Sequence, residues 1–441
     1  MEPGERGADR QAAAAGGDSI AGPMLASLQR RIRWTLFTAQ ALGSAGFLVA
    51  STVTPIVGAR LSGHPSWAGV PTAFYWAGAA LFAMLWGRIM DPLGRRVTLA
   101  LGLAVGVGGA AIASAAIGLQ SFNGFVSGLL LMGAANAALQ LGRFMAGEVH
   151  RPEQRGRAIA TVVMGGTVGA ALGPTLVAPM SLVAESFLQP GLAGPYAASA
   201  GFFLIGAVVV FILLRPDPKD LARVLVGASD TATSSLAPAR PLRAILGDPA
   251  VRAAILTMTA SQAVMTMLMV ITSLHMSHHD HALASISGVM SAHVLGMFAF
   301  SMVAGGLADR WGRGRLIATG AVLLMVAGVG AAASVAPLPL GSTLFLLGLG
   351  WNFCYVGGST LLSDRLSVSE RARVQGVNDA LLTGTAAAGS VLSGVVFSAV
   401  GYPAMGLVCA GVAVVPLGLG WRIRRRPGAP LATREGHPRL V

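Results

Sequence analysis

Two short turns decide the fold of this 441-residue chain. The first reads Gly87-Arg-Ile-Met-Asp91-Pro-Leu-Gly94-Arg95-Arg96, and the second reads Gly305-Gly-Leu-Ala-Asp309-Arg-Trp-Gly312-Arg313-Gly-Arg315. Both place glycine, aspartate, glycine and arginine at one spacing, and they lie 218 residues apart. Asn352 follows Asn136 at a shift of 216, so a second landmark repeats almost in register. The sequence therefore predicts an internal duplication.

The composition excludes an ordinary soluble protein, because 54% of the residues are hydrophobic and only 11% are charged. Nine long runs contain no charged residue: 34–59, 61–87, 97–142, 158–184, 186–214, 253–279, 281–308, 316–363 and 380–421. A spanning helix needs about 20 apolar residues, so the three longest runs each hold two helices. We predict an all-α membrane protein with twelve transmembrane helices in two pseudo-symmetric six-helix bundles.

The same runs divide the chain into five parts. The predicted parts are a disordered tail (1–33), an N-terminal bundle (34–214), a linker (215–250), a C-terminal bundle (251–421) and a basic tail (422–441). The linker is rich in proline, serine and threonine, and the first tail is rich in alanine, glycine and arginine.

The 31 basic residues predict the orientation of the chain. All except Arg60 fall in the tails, the linker, alternate loops and their flanks, and the positive-inside rule places these segments and both termini in the cytoplasm. Arginine outnumbers lysine 30 to one, which indicates a GC-rich bacterial genome and therefore a bacterial inner membrane. The net charge of +13 is spread over six loops and two tails, so we expect no nucleic-acid partner. The expected partners are the lipid bilayer and the transported solute or copper ion. We expect the protein to be a monomer. The spans hold no catalytic constellation, so we expect neither an enzyme nor a cofactor.

The seventh and eighth spans carry an unusual set of sulfur and imidazole side chains. Eight of the 18 methionines and five of the eight histidines fall between Met258 and Met302. Met265 and Met269 share one helix face, as do His293 and Met297, because side chains four residues apart are neighbours. At 1.5 Å per residue, the two pairs lie level to within about one turn. These four residues could bind a soft cation such as Cu(I), although methionine also fills gaps in helix packing and a buried histidine can bind an organic substrate.

Histidines and amides elsewhere in the spans and their turns are further candidates for contact with a solute. The turn between these two spans offers His275, His278, His279 and His281 as possible entrance ligands for a metal, although a polar turn at a membrane surface needs no ligand. The spans also hold amides that we expect to line a central cavity: Gln40, Asn136, Gln140, Gln262 and Asn352.

The paired turns resemble the loop signature of the major facilitator superfamily, and the resemblance covers the chain from Trp34 to Trp421. It implies a central cavity, with alternating access by rocking of the two halves. In that family the aspartate of each turn helps to lock the cytoplasmic gate. The resemblance therefore implies gating roles for Asp91 and Asp309, together with Arg95 and Arg313.

The Met-x-x-x-Met and His-x-x-x-Met pairs resemble, more narrowly, those of the CcoA-type copper importers of this superfamily. That resemblance implies Met265, Met269, His293 and Met297 as metal ligands and copper as the imported solute. Relatives of those importers carry riboflavin, so an organic solute is an alternative. Proton-coupled drug efflux is another, because residues 169–174 partly match the antiporter motif of drug exporters. A copper sensor or assembly factor that transports nothing is the alternative outside this class.

Overall fold

The computed structural model describes residues 5–150, 152–221 and 240–425, and these form α-helices joined by short turns, with no β-strand among them. The first half contains α1 (Glu5–Ser51), α2 (Thr54–Ser62), α3 (Val70–Leu93), α4 (Arg95–Gly118), α5 (Phe122–Glu148), α6 (Pro152–Leu172), α7 (Val177–Ser186) and α8 (Gly194–Leu213). The second half contains α9 (Leu242–Gly247), α10 (Pro249–His278), α11 (Leu283–Phe298), α12 (Ser301–Trp311), α13 (Arg313–Ala333), α14 (Pro337–Ser363), α15 (Val368–Val412) and α16 (Val414–Arg425).

The helices are long and apolar enough to cross a membrane many times. Within the described residues, 10 segments pass that test alone, and α1 and α2 form an eleventh span that is bent by 41°. The last segment, Arg373–Arg424, is 52 residues long and is broken at Gly401, where the backbone is left-handed with φ 76°. Each side of this break is long enough for one span, which gives twelve. The predicted all-α membrane fold is confirmed.

Two separate apolar cores show that the spans form two bundles. The largest cluster of buried residues runs from Ile32 to Leu221 and lies in the first half. The next cluster is built mainly from α10, α11, α13 and α14 of the second half. In each half, the third and fourth spans pack closely against each other at glycine residues. An added Cβ on Gly109 would lie 2.6 Å from the Gly128 oxygen, and one on Gly320 would lie 2.8 Å from the Gly350 oxygen.

Helical structure extends into both segments predicted as tails. The first tail was expected to be disordered, but α1 already begins at Glu5, and Gln29 donates from Nε2 to the Val149 carbonyl at 2.6 Å. The expectation of disorder rested on richness in alanine, glycine and arginine, but alanine has the highest helix propensity of all residues. The second tail is helical as far as Arg425. Residues 1–4, 222–239 and 426–441 of the predicted tails and linker lie outside the described residues.

The two ends of the spans are chemically different, and we name them by their residues. The arginine-rich face carries the turns at Arg95 and Arg313, and the histidine face carries the turn after His278. The halves are packed closely at the histidine face: an added Cβ on Gly69 would meet the Ser390 carbonyl at 1.6 Å. Short helices there, such as α2 and α7, also contact the opposite half.

Candidate functional site

His293 is fully buried within the second bundle. Its Nδ1 lies 2.9 Å from the Leu344 carbonyl oxygen. Since a carbonyl only accepts, Nδ1 must carry the proton, which leaves the lone pair on Nε2. That Nε2 atom is buried and has no hydrogen-bond partner among the described residues. A neutral imidazole with a free, buried lone pair can accept a hydrogen bond from a solute or coordinate a soft cation.

The predicted ligands are divided between two helices: Met265 and Met269 lie on α10, and Met297 lies on α11 with His293. Met265 is almost fully buried on α10, whereas Met269 and Met297 are half-buried. The helix α14 packs extensively against both α10 and α11, which touch each other little, so it lies between the two predicted ligand pairs. Met269 reaches furthest toward the other half, because it packs on the apolar cluster of Leu48, Ala170 and Val294.

The first half shows that side chains at equivalent positions can meet. A shift of 218 residues relates Met265 to Phe47 and His293 to Tyr75. The rings of Phe47 and Tyr75 are stacked, with centroids 4.3 Å apart, and Trp76 meets Tyr75 edge-on at 5.3 Å. The first half therefore presents an aromatic cluster where the second half presents sulfur and imidazole.

The four outer histidines do not meet as one group, although the rings of His275 and His279 meet edge-on with centroids 4.5 Å apart. The ring of His275 stacks on Tyr402 at 4.2 Å, and Nδ1 of His279 bonds to the His275 carbonyl oxygen at 2.9 Å. His278 and His281 line a cavity of about 690 Å³ at the histidine face, which is also lined by Arg60. A guanidinium in this cavity repels a cation. In the described part of the chain, no group of three or more His, Cys, Asp or Glu side chains is placed to hold a metal ion.

The predicted gating residues form one clamp within each half. Arg95 pairs with Asp91 at 3.0 Å and with Glu148 at 3.1 Å, which ties α3, α4 and α5 together. The second half repeats the arrangement: Arg313 pairs with Asp309 at 3.4 Å and with Asp364 at 3.0 Å. Neither clamp reaches the opposite half, so the implied gating role of these residues stays a prediction.

The link between the halves near the arginine-rich face is a different ion pair. Arg143 of α5 donates from a terminal guanidinium nitrogen to the Asp379 carboxylate of α15 at 3.1 Å. Gln140 and Asn136 lie on the same face of α5 as Arg143, at spacings of three and seven residues. Gln140 is exposed and Asn136 is half-exposed, and neither has a hydrogen bond within the described residues. These two amides are therefore open polar groups on the face of α5 that carries Arg143, and their predicted place in a cavity stays a prediction.

The second half presents an aromatic pair, hydrogen-bonded to an amide, at the depth of Asn136 in the first half. Trp351 and Tyr355 are stacked on α14, with ring centroids 5.1 Å apart and planes at 17°. Trp351 donates from Nε1 to the Gln262 side-chain oxygen at 3.0 Å. Tyr355 lies within electrostatic reach of both Arg143 and Asp379, so the pair borders the first half. Trp351 and Asn136 are each 12 residues from their helix ends, about 18 Å below the arginine-rich face.

Two more of the predicted cavity amides have contacts within their own half. Asn352 is buried, and its Nδ2 donates to the Met297 carbonyl oxygen and to the Ser301 hydroxyl at 2.6 and 2.8 Å. It therefore secures the break between α11 and α12, because the last carbonyls of a helix need partners. Gln40 packs against α6 at Gly166.

The sequence reasoning missed Trp351, Tyr355 and the second-half clamp residue Asp364. A signal for Asp364 existed, because it follows Glu148 at the same shift of 216 that relates Asn136 to Asn352. No comparable repeat marks the aromatic pair, since the first half has no aromatic residue at the equivalent positions.

The sequence model of the Major Facilitator Superfamily matches residues 36–288 and 265–440. The chain belongs to the major facilitator superfamily. It is therefore a transporter and not an enzyme, as expected from the paired turns. Membership of this superfamily favours a transporter over the alternative of a sensor or assembly factor that transports nothing.

Individual proteins of the superfamily are similar to this chain over most of their length. The chain is 34% identical over 373 residues to the uncharacterized transporter YdeG of Bacillus subtilis, covering 83% of this chain and 85% of that one. It is 31% identical over 371 residues to the riboflavin transporter RfnT of Brucella anthropi, covering 83% and 88%. A bacterial homologue of the human lysosomal transporter Spinster, in an inward-facing and occupied conformation, shares the fold with a TM-score of 0.69 at 13% identity, covering 89% and 96%.

Proposed function

We propose that this superfamily member carries a small, planar, aromatic organic solute of the riboflavin type. The observation that carries the proposal is the stacked Trp351–Tyr355 pair, with Gln262 bonded to its indole, at mid-membrane depth beside the first half. A flat heterocycle gains from stacking on such rings, and its edge needs polar partners. Gln140 and Asn136 supply unpaired amides for that edge. The 31% identity to a riboflavin transporter supports the same class of solute.

The entrance at the histidine face fits an uncharged or anionic solute better than a cation. The cavity there is lined by Arg60 and by two imidazoles, with apolar side chains between them. The aromatic cluster of Phe47, Tyr75 and Trp76 follows deeper along the same half. We place this face toward the periplasm of a bacterial inner membrane, because the positive-inside rule keeps arginine-rich loops in the cytoplasm.

Binding of riboflavin to the purified protein tests the proposal. Riboflavin fluorescence should be quenched on binding, and Trp351→Leu should weaken the affinity at least about fivefold, because loss of a stacking ring costs about 1–3 kcal/mol. Trp34→Leu is the matched control, since Trp34 is half-exposed near the arginine-rich face and meets Phe37 edge-on, away from the stacked pair. Equal affinities of the two variants would contradict the proposed stacking site.

Copper import is a second candidate, and the buried Nε2 of His293 is the observation that favours it. Neutral thioether and imidazole ligands suit reversible binding of Cu(I). In the first half, Phe47 and Tyr75 meet at the positions equivalent to Met265 and His293, so equivalent side chains in the second half could approach across α14. Copper uptake by variants of the methionine pair, described below, tests this candidate separately.

A further inference from the structure

A second large cavity lies at the arginine-rich face of the second half, away from the solute site. It has a volume of about 950 Å³ and lies between the start of α10, the α12–α13 turn and the ends of α14 and α16. Its charged lining consists of five arginines and two aspartates: Arg313, Arg315, Arg365, Arg422, Arg424, and Asp248 with Asp364. The lining therefore carries an excess of positive charge.

The two aspartates are already engaged. Asp248 accepts from the Ala250 backbone N–H at 2.7 Å and caps α10, while Asp364 accepts from Arg313 at 3.0 Å. Within the described residues, Arg315, Arg365 and Arg422 have no carboxylate partner. The excess of guanidinium groups at the cavity wall favours an anion from outside the protein.

The first half shows what occupies the equivalent place there. The helix α4 begins after Gly94, and the Asp217 carboxylate accepts from the backbone N–H groups of Arg95 and Arg96 at 3.1 and 3.0 Å. The second half builds the same helix start: α13 begins after Gly312, whose φ of 86° matches the 84° of Gly94. No side chain in the described part of the chain caps α13.

The sequences after the two bundles also differ. Arg215-Pro216-Asp217 follows α8, whereas Arg426-Pro427-Gly428 follows α16, so this short run has aspartate in the first copy and glycine in the second. An anion of the protein itself thus fills the first of two equivalent sites. The second combines a helix N-terminus with an arginine-lined cavity.

We propose that the phosphate group of an anionic membrane lipid occupies this cavity. Phosphate suits both bidentate arginine and the free N–H groups at the start of α13. The cavity lies at the membrane surface, because Trp311 in its wall is half-exposed, as is common for tryptophan at a lipid–water interface. Leu361 and Leu419 give the wall an apolar part along which acyl chains can lie. Basic pockets between helices on the cytoplasmic side suit such headgroups.

Retention of phosphatidylglycerol by the full-length protein tests this proposal. The protein is transferred from vesicles of equal phosphatidylglycerol and phosphatidylcholine into detergent, and bound lipid is counted by native mass spectrometry. Wild-type protein should retain phosphatidylglycerol in preference to phosphatidylcholine. The exposed pair Arg315→Gln/Arg422→Gln should weaken that retention roughly thirtyfold, because each arginine near the surface contributes about fivefold.

A matched pair of arginines separates a specific site from general attraction. Arg310→Gln/Arg371→Gln removes the same charge from exposed positions of the same half that do not line the cavity. Retention by this control should stay within about twofold of wild type. Equal losses in the two double variants would overturn the proposal. Full displacement of phosphatidylglycerol by millimolar inorganic phosphate would also overturn it, because the site would then take free phosphate and not a lipid.

Discussion

Arg143 of α5 and Asp379 of α15 form the ion pair that links the two halves near the arginine-rich face, with 3.1 Å between nitrogen and oxygen. Both side chains are about one-third exposed, and Gln375 donates to the second Asp379 oxygen at 2.8 Å. The pair must separate when the halves rock apart at this face. It is therefore a contact present in some states of the transport cycle and absent in others.

Asp379→Asn should shift the protein toward states that are open at the arginine-rich face. The pair is partly solvated, so we expect its loss to change the equilibrium by about 1 kcal/mol, or roughly fivefold. Labelling of Gln140→Cys by a membrane-impermeant thiol reagent measures the opening. The native Cys354 and Cys409 are fully buried and should stay unlabelled. An equal labelling rate of Gln140→Cys with Asp379 intact and with Asp379→Asn would show that the ion pair does not control this face.

Glu370 should stabilise the second half in a pH-dependent way. Its carboxylate accepts from the Arg240 side chain at 2.7 Å and completes a capping box with Ser367, and these bonds lower the pKa of Glu370 to about 2. Because the folded pKa is below the unfolded value, the stabilisation is present above pH of about 4.5 and is lost as the pH falls toward 2.

Thermal unfolding of Glu370→Gln checks this effect. At pH 7 the variant should lose about 1–2 kcal/mol, because a charged hydrogen-bonded pair at the linker is broken. The difference from wild type should shrink between pH 4.5 and the lowest pH at which the protein stays folded. Glu185→Gln, an exposed carboxyl at the opposite face, is the control. A difference that does not change with pH would contradict the assignment.

Asp217 should stabilise the first half as a helix cap. Its carboxylate receives three backbone N–H groups, including the first two of α4, at 2.9–3.1 Å. Asp217→Asn should lower the unfolding free energy by about 1 kcal/mol, because the amide has no negative charge and only one oxygen to accept these N–H groups. Asp220→Asn is the matched control, since Asp220 is exposed three residues away. Equal melting temperatures of the two variants would show that the cap contributes nothing.

The methionine pair distinguishes the two candidate solutes. Met265→Leu/Met269→Leu preserves volume and apolar character while removing both sulfurs. We expect riboflavin uptake by this variant to stay within about threefold of wild type, since leucine keeps the packing. Copper accumulation at micromolar copper, in cells lacking their own importer, should be lost if the thioethers are ligands. Met267→Leu controls for loss of a methionine outside the predicted site. Unchanged copper accumulation in the double variant would exclude the sulfur site.

The sequence predicted the architecture well because that information repeats along the chain. The turns at Asp91 and Asp309 recur with a fixed shift, and charge-free runs of sufficient length mark the spans directly. The solute site was harder to predict, since it depends on which faces of distant helices meet. Asn136 and Asn352 are equivalent in sequence, yet one stays open on α5 and the other bonds to the Met297 carbonyl. A residue's hydrogen-bond partner on another helix is not encoded in its own spacing.

Riboflavin uptake into proteoliposomes that contain only this protein tests the central claim most directly. The vesicles are loaded with riboflavin or diluted into it, so that its gradient points outward or inward. Riboflavin inside the vesicles is measured by its fluorescence. We predict saturable uptake that is reduced by Trp351→Leu and unaffected by excess Cu(I). Accumulation of copper by the same vesicles, with no uptake of riboflavin above that of empty vesicles, would contradict the account.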